Sequence, residues 1–198
     1  MLSSKELHRQ MMHIVIGLIT VGLIYFNIFR PFTIFLLLIV GILISFLCKR
    51  MSLPFFSRFL DIFERDEQMK KFPGRGVIFF FVGVLLVLQL FPRDIALASI
   101  MVLALGDSLS HIVGARYGEI KNIFNIKSPK LLEGTIVGAI AGFSGALIFV
   151  SIPEAFFGAF LAMVAEVVQI DLNNRQVDDN LIVPLVAGTA MVLVRFII

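Results

Sequence analysis

Residues Ile95–Val113, with the sequence IALASIMVLALGDSLSHIV, decide the fold class of this chain. The stretch is almost entirely apolar and has the length of about 20 residues that a helix needs to cross a bilayer core. It nevertheless contains Asp107. A carboxylate inside such a segment is costly unless a cation, a donor or a water-filled cavity compensates it, so the sequence predicts a membrane helix that carries part of a functional site.

The whole chain has the composition of a membrane protein. Hydrophobic residues make up 59% of the 198 and charged residues 16%, and the mean hydropathy is +0.98. Strand-type alternation is absent, so we predict an all-α, polytopic membrane protein in which residues 1–198 form one integral-membrane domain. We place about seven transmembrane helices at Met11–Phe29, Pro31–Cys48, Gly76–Phe91, Ile95–Val113, Gly134–Ser151, Ala155–Ile170 and Leu181–Ile198.

The basic residues predict the orientation. With a cytoplasmic N-terminus, fourteen of the 17 Lys and Arg residues fall on the inner side, and only Arg30, Arg93 and Arg195 do not. The fourteen are Lys5, Arg9, Lys49, Arg50, Arg58, Arg65, Lys70, Lys71, Arg75, Arg116, Lys121, Lys127, Lys130 and Arg175. The positive-inside rule therefore predicts a cytoplasmic N-terminus and an outer C-terminus, and we expect a multi-pass protein of the cell membrane. The net charge of +3 reflects this topology and needs no nucleic-acid partner.

Two cytoplasmic loops follow from this topology, at residues 49–75 and 114–133. In the first, Phe56, Phe59, Leu60 and Phe63 follow the helical i, i+3, i+4, i+7 pattern, so we expect an interfacial helix over Leu53–Phe63. No small-residue cleavage site follows the first apolar run, so we expect that span to be retained.

The acidic residues converge on the same side of the membrane. Asp107 lies 13 residues, or roughly 20 Å, after Asp94 at the outer end of its helix, which puts it in the cytoplasmic half. Glu166 lies in the inner half of the sixth span, and Asp178 and Asp179 lie in the connection to the seventh. These carboxylates are our candidate catalytic residues, on the side where nucleotides are found.

The segment GDSLSHIVGARYGEIKNIFNIKSPKLLEGT, residues 106–135, is the densest in chemistry. Asp107 and His111 are four residues apart and so share one helix face. Gly106 and Gly114 remove side-chain bulk where a ligand or a backbone could approach closely. An ordinary charged loop is the alternative interpretation.

The same segment also supplies groups suited to an anion. Arg116 and Lys130 bring positive charge, as a polyphosphate site requires. Glu133, Gly134 and Thr135 open the fifth helix, whose N-terminal N–H groups favour an anion.

The second acidic segment is a candidate metal site. Asp178 and Asp179, followed by Asn180 at a helix start, could hold Mg²⁺ together with Asp107, since Mg²⁺ prefers one or two carboxylates plus substrate phosphates. Helix capping is the alternative for these residues. Two acidic sites beside a basic loop indicate a magnesium–nucleotide site.

Several familiar motifs are absent. The sequence contains no G-x-x-x-x-G-K-[ST], G-x-G-x-x-G, H-E-x-x-H or G-x-S-x-G. Soluble kinase, dehydrogenase, zinc protease and esterase architectures are therefore unsupported.

Five short motifs, in order, carry a resemblance to a known family. They are H-R-x-x-x-H at His8, Arg9 and His13; F-P-G-x-G at Phe72 to Gly76; G-D-x-x-x-x-x-x-G from Gly106 to Gly114; K-x-x-E-G-T from Lys130 to Thr135; and D-D-N-L-x-x-P-L-x-x-G from Asp178 to Gly188. In this order the chain resembles the CTP-dependent polyprenol kinases, which include dolichol, phytol and CTP-dependent diacylglycerol kinases. It resembles the phosphatidate cytidylyltransferases more distantly.

The resemblance implies transfer of the γ-phosphate of CTP to the hydroxyl of a membrane isoprenoid alcohol of the dolichol or polyprenol type, with Mg²⁺. It implies that Gly106, Gly114, Arg116, Lys130, Glu133, Gly134, Thr135 and Asn180 bind nucleotide, and that Arg9, His13 and His111 bind substrate. The family usually has a basic residue after the N-terminal Arg and a hydroxyl side chain after the loop lysine. This chain has Gln10 and Leu131 at these two positions. A lipid-phosphate cytidylyltransferase and a transporter or scaffold without chemistry are the alternatives.

Overall fold

The computed structural model describes residues 3–50, 72–126, 128–168, 171–172 and 175–198. The predicted interfacial helix over Leu53–Phe63 lies outside these residues.

Each of the seven apolar segments forms a helix, which confirms the helical fold. The helices are α1 (Ser4–Tyr25), α2 (Pro31–Arg50), α3 (Arg75–Leu90), α4 (Arg93–Tyr117), α5 (Leu132–Ala146), α6 (Ile152–Val168) and α7 (Asp179–Ile197). Between α6 and α7 the chain forms a minimal antiparallel pair of two-residue strands, β1 (Asp171–Leu172) and β2 (Arg175–Gln176).

Membrane character is clearest in four of these helices. By length and composition α1, residues 31–48 of α2, α4 and α7 could each cross a bilayer, and α3 and α5 are shorter apolar helices. Only 17% of residues 31–48 in α2 are buried inside the protein, as expected for a helix whose sides face lipid. These features indicate a multi-pass membrane protein, and the count of seven crossings and the cytoplasmic N-terminus stay predictions.

Helix α4 forms the centre of the bundle. In the most apolar 18-residue stretch of α4, 78% of the residues are buried inside the protein. The helix packs against α1, α3, α5, α6 and α7. Ile95, Ile100 and Leu103 on this helix are completely buried. Residues on α4 are therefore placed where side chains from several other helices can reach them.

Helix α5 approaches α4 through glycines. A Cβ atom on Gly138 would lie 2.7 Å from the carbonyl oxygen of Gly106, and one on Gly134 would lie 2.5 Å from that of Ser110. Real Cβ atoms do not come this close, so only glycine permits the two backbones to touch. The four-residue spacing of Gly134, Gly138 and Gly142 places these glycines on one face of α5 and so permits the close contact.

A wide turn interrupts α4. The helix is regular over Arg93–Met101, takes π-helical geometry over Val102–Asp107 and resumes over Ser108–Tyr117. Single π turns inside α-helices are rare and occur frequently at functional sites. Asp107 is the last residue of this one.

The two ends of the bundle carry different polar networks. At one end Arg195 near the end of α7 pairs with Asp94 (Nη2 to Oδ2, 2.7 Å) and with Glu154 at the start of α6. Helix α4 begins at this end and α7 finishes at it. Asp107, well along α4, and Asp179, at the start of α7, therefore lie toward the opposite end. The predicted convergence of the acidic residues on one side is thus consistent with the course of the helices.

Candidate functional site

Three side chains from α4 and α6 form the centre of the site. The His111 Nε2 atom lies 3.6 Å from Asp107 Oδ1 and 3.8 Å from Glu166 Oε1. The shared helix face predicted for Asp107 and His111 is therefore confirmed, and α6 adds Glu166 from across the bundle. The Ser110 hydroxyl also donates to Glu166 Oε1, at 3.4 Å.

Lys130 enters this centre from the loop before α5. Its Nζ donates to Glu166 Oε1 at 2.5 Å and to Asp179 Oδ2 at 3.0 Å. Burial alone would lower the pKa of Lys130, but the charges of Glu166, Asp107 and Asp179 outweigh it and raise the pKa above its ordinary value. Lys130 is thus a protonated ammonium group bound by carboxylates, and its binding of phosphate stays a prediction.

The base of this loop is held by two residues at the start of α5. Glu133 accepts hydrogen bonds from the backbone N–H groups of Glu119 and Ile120, both at 3.0 Å. Thr135 accepts one from the completely buried Asn122 (Nδ2 to Oγ1, 2.7 Å). Glu133 and Thr135, predicted to bind nucleotide, therefore fix the loop that delivers Lys130. Asn122 was missed, because its partner lies 13 residues away and no spacing rule indicates it.

The adjacent aspartates at the start of α7 have different partners. Asp178 is the N-cap: it accepts from the backbone N–H of Asn180 at 3.3 Å and from its Nδ2 at 2.9 Å, and its Oδ2 lies 3.3 Å from Arg75 Nη2. Asp179, in contrast, binds Lys130. The capping alternative thus describes Asp178, and only Asp179 joins the central cluster. The contact with Arg75 was not predicted.

Helix α1 contributes two cationic or titratable side chains at the same end. His13 is half-buried and packs against Phe80 with their rings edge to face at 5.1 Å, and its surroundings include Asp107, Arg9 and Asp178. Arg9 donates to Glu6 at 2.5 Å. The structure therefore brings Arg9 and His13 to the site, as predicted, although it assigns them no ligand.

Several polar atoms at this end have no hydrogen-bond partner among the described residues although they are buried. They are Arg9 Nε, His13 Nε2, Arg75 Nε, Asp107 Oδ1, Ser108 Oγ, Glu166 Oε2 and Asn180 Oδ1. A buried polar group left unpaired costs about 1–3 kcal/mol, and more when it is charged. Such a concentration on α1, α3, α4, α6 and α7 indicates a site built to receive a polar ligand.

A divalent cation is one ligand that fits. One ligating atom from each of Asp107, His111 and Glu166 lies within 4.8 Å of the others. Two carboxylates suit Mg²⁺ or Mn²⁺, and an imidazole can complete the set or bind a metal-bound water. The ligand set that fits in the described structure shares only Asp107 with the predicted set of Asp107, Asp178 and Asp179.

Four predicted nucleotide ligands lie elsewhere. Arg116 is exposed at the end of α4 and covers the ring of Tyr117, 5.4 Å from its centroid. Gly106, Gly114 and Gly134 lie in the contact between α4 and α5. Their part in nucleotide binding stays a prediction.

Comparison with known proteins gives three relatives. No family model and no solved structure matches the chain. The chain is 30% identical over 186 residues to "Uncharacterized protein MJ1137" of Methanocaldococcus jannaschii, covering 93% of this chain and 91% of that protein.

Two yeast enzymes are more distant. The chain is 26% identical over 164 residues to "CTP-dependent diacylglycerol kinase 1" of Schizosaccharomyces pombe, covering 73% of the chain and 72% of the enzyme. It is 25% identical over 172 residues to the protein of the same name in Saccharomyces cerevisiae, covering 81% of the chain and 53% of the enzyme. The chain thus belongs to the family of the Methanocaldococcus protein, and its distant homology to the two yeast enzymes supports a place in the CTP-dependent lipid kinase family.

Proposed function

We propose that this protein is a membrane kinase that transfers the γ-phosphate of CTP to the hydroxyl of a lipid alcohol. The observation that carries the proposal is the buried cluster of Asp107, Glu166, Asp179 and Lys130 with its unpartnered oxygen atoms. Two distant relatives carry the name CTP-dependent diacylglycerol kinase 1, and diacylglycerol is a lipid alcohol. The cluster supplies the charge that such a reaction needs.

The reaction requires little covalent chemistry from the protein. A bond forms between the lipid oxygen and the γ-phosphorus while the bond from that phosphorus to the bridging oxygen breaks, and CDP leaves. Catalysis then depends on positioning and on neutralising the phosphate charge. Bound Mg²⁺ would supply much of that neutralisation, held by Asp107 and Glu166 beside His111.

The hydroxyl proton needs an acceptor in the same place. Asp107 Oδ1 and Glu166 Oε2 are buried carboxylate oxygens without a hydrogen-bond partner in the described part of the chain. Whichever of the two does not bind the metal can instead take the proton as the hydroxyl attacks. Arg9 and His13 on α1 and His111 on α4 interact electrostatically with one another at this end, and we assign them to orienting the substrates.

We place the reaction at the cytoplasmic face of the cell membrane. The site lies at the bundle end that holds the start of α1, the loop with Lys130 and the start of α7. The positive-inside distribution of the Lys and Arg residues supports a cytoplasmic location for that end. CTP is available there, and the lipid hydroxyl lies at the depth of the head groups.

For the lipid we propose an isoprenoid alcohol of the dolichol or polyprenol type, because the five motifs resemble those of the polyprenol kinases. Diacylglycerol is the second candidate, because both yeast relatives are named for it. Both lipids present one hydroxyl on an apolar body. Incubation of the purified protein with each alcohol and labelled CTP, ATP or UTP identifies the lipid and the donor together.

The nucleotide product separates the proposal from its rivals. A kinase releases CDP, whereas a cytidylyltransferase releases pyrophosphate and leaves CMP on the lipid. A transporter or scaffold would consume no CTP, and ion uptake into proteoliposomes would be its signature.

The decisive variant is Asp107→Asn, which keeps the shape of the side chain and removes its charge. We expect it to abolish lipid phosphorylation in folded protein. The matched control is Glu119→Gln, which removes a carboxylate from the exposed part of the nearby loop and should leave activity unchanged. Full activity in Asp107→Asn, or no CTP-dependent product with any lipid, would refute the proposal.

A further inference from the structure

The acidic groups of the site outnumber its ammonium group. Lys130 Nζ lies 2.5 Å from Glu166 Oε1 and 3.0 Å from Asp179 Oδ2, and the charge of Asp107 acts on it as well. One ammonium group therefore faces three carboxylates. With all three ionised, two negative charges are left over in a largely buried space, which is the charge of one divalent cation.

Unpartnered atoms point to the same deficit. Asp107 is 6% exposed and Glu166 1% exposed, yet Asp107 Oδ1 and Glu166 Oε2 have no hydrogen-bond partner in the described residues. A buried carboxylate oxygen is costly unless a donor or a cation binds it. Both oxygens are therefore suited to accept a donor or to bind a cation.

The spacing fits a single ion. One ligating atom from each of Asp107, Glu166 and His111 lies within 4.8 Å of the other two. Ligands on opposite sides of a Mg²⁺ ion are about 4.2 Å apart, given bonds of about 2.1 Å. Small side-chain shifts would close the ring around an ion.

Lys130 occupies one of the atoms that such an ion would bind. The Glu166 Oε1 atom that faces His111 at 3.8 Å is the atom to which Lys130 donates. An ammonium group and a divalent cation at neighbouring positions repel each other. A metal ion that binds Oε1 between His111 and Glu166 would therefore compete with Lys130 for this atom.

We propose that Lys130 is a built-in cation that closes the divalent-cation site of Asp107, His111 and Glu166 in the metal-free protein, and that metal binding displaces its ammonium group from Glu166. The inference deepens the proposed function, because it concerns the metal of the same site. The displaced ammonium group of Lys130 becomes available to a phosphate. Lys130 can therefore contact carboxylates before metal binds and still bind nucleotide afterwards, as the sequence predicts. Metal entry and phosphate binding are thereby coupled through one side chain.

Metal binding to the full-length chain in detergent tests this without nucleotide or lipid. Free Mn²⁺ is measured by electron paramagnetic resonance as protein is titrated. Lys130→Met removes the competing charge and should tighten Mn²⁺ binding by at least about tenfold. Glu166→Gln should weaken it by a similar factor, and Lys121→Met, an exposed lysine of the same loop, should leave it unchanged. Unchanged or weaker binding in Lys130→Met would overturn the proposal.

A second measurement uses the unaltered protein, in case Lys130→Met does not fold. Amines are acetylated with a water-soluble reagent for short times, and the modified lysines are counted by mass spectrometry. Lys130 is only 10% exposed and should react slowly without metal. Saturating Mn²⁺ should raise its rate several-fold relative to Lys121, and an unchanged or lower rate would refute displacement. Neither measurement depends on kinase activity, so failure of the proposed function would be seen separately.

Discussion

Lys130 and Glu166 are 36 positions apart in the chain, yet the Lys130 Nζ and the Glu166 Oε1 atoms are 2.5 Å apart inside the protein. The contact joins the loop before α5 to the C-terminal end of α6. Its partner on the other side is Asp179 at the start of α7. One ammonium group thus connects three segments of the candidate site, and several expectations depend on it.

Glu166→Gln should reduce both stability and activity. The amide keeps the volume of the side chain but leaves the buried Lys130 charge with Asp179 as its remaining close carboxylate partner. Breaking a buried ion pair by neutralising one partner typically costs about 3–5 kcal/mol. We expect a lower midpoint of thermal unfolding in detergent and at least about a hundredfold loss of phosphorylation rate. A variant with wild-type stability would contradict the burial of this pair.

The stabilisation by Lys130 should depend on pH in one direction only. Its pKa is raised above the ordinary 10.5, so the folded protein holds this proton at a pH where the unfolded chain has released it. The stabilisation is therefore fully present below about pH 10 and is lost as pH rises through the folded pKa. The difference in unfolding free energy between wild type and Lys130→Met should be constant from pH 7 to about 10 and shrink above it. A difference that shrinks between pH 7 and 9 would contradict the raised pKa.

Gly138→Ala should destabilise the contact between α4 and α5. The added methyl group would lie 2.7 Å from the Gly106 carbonyl oxygen and 2.7 Å from Ser110 Cβ, so the helices must move apart. We expect a loss of about 1–3 kcal/mol in unfolding free energy. Gly22→Ala is the matched control, because nothing lies within 4 Å of the added atom, and it should be neutral or slightly stabilising. Equal effects of the two substitutions would argue against the close contact.

Thr135→Val should loosen the loop without removing any charge. The isosteric side chain cannot accept the hydrogen bond from Asn122 Nδ2, which leaves a completely buried amide unpaired. We expect Lys130 to be positioned less well, so that the KM for CTP rises more than kcat falls. Thr135→Ser keeps the hydroxyl and should restore the wild-type KM. If Thr135→Val and Thr135→Ser behave alike, the hydrogen bond has no part in nucleotide binding.

Local sequence patterns predicted the helices and part of the site. Long apolar runs identify helices because a bilayer core permits little else, and each of the seven predicted segments contains a helix in the described part of the chain. The contact of Asp107 with His111 follows from their four-residue spacing alone. The close approach at Gly134 and Gly138 follows from the same periodicity.

Contacts between distant segments were not predictable in the same way. Lys130 was assigned to phosphate because nothing in its own segment indicates that Glu166 lies beside it. Asp178 and Asp179 were treated as a pair because they are adjacent. At the start of α7, however, the first is the cap and the second is the first helical residue, so their side chains point to different partners. The π turn that ends at Asp107 cannot be recognised from the composition of its residues.

That turn sets the rotational phase of everything after it on α4. A π turn holds one residue more than an α turn, and each residue of an α-helix advances the side-chain direction by about 100°. Deleting a single apolar residue from Val102–Asp107 would restore a regular helix, with hydropathy and motifs almost intact. It would also swing Asp107 and His111 together by roughly a quarter of a circle, away from Glu166. Alignment gaps at this point of the chain would therefore separate proteins that keep the acidic centre from proteins of similar appearance that have lost it.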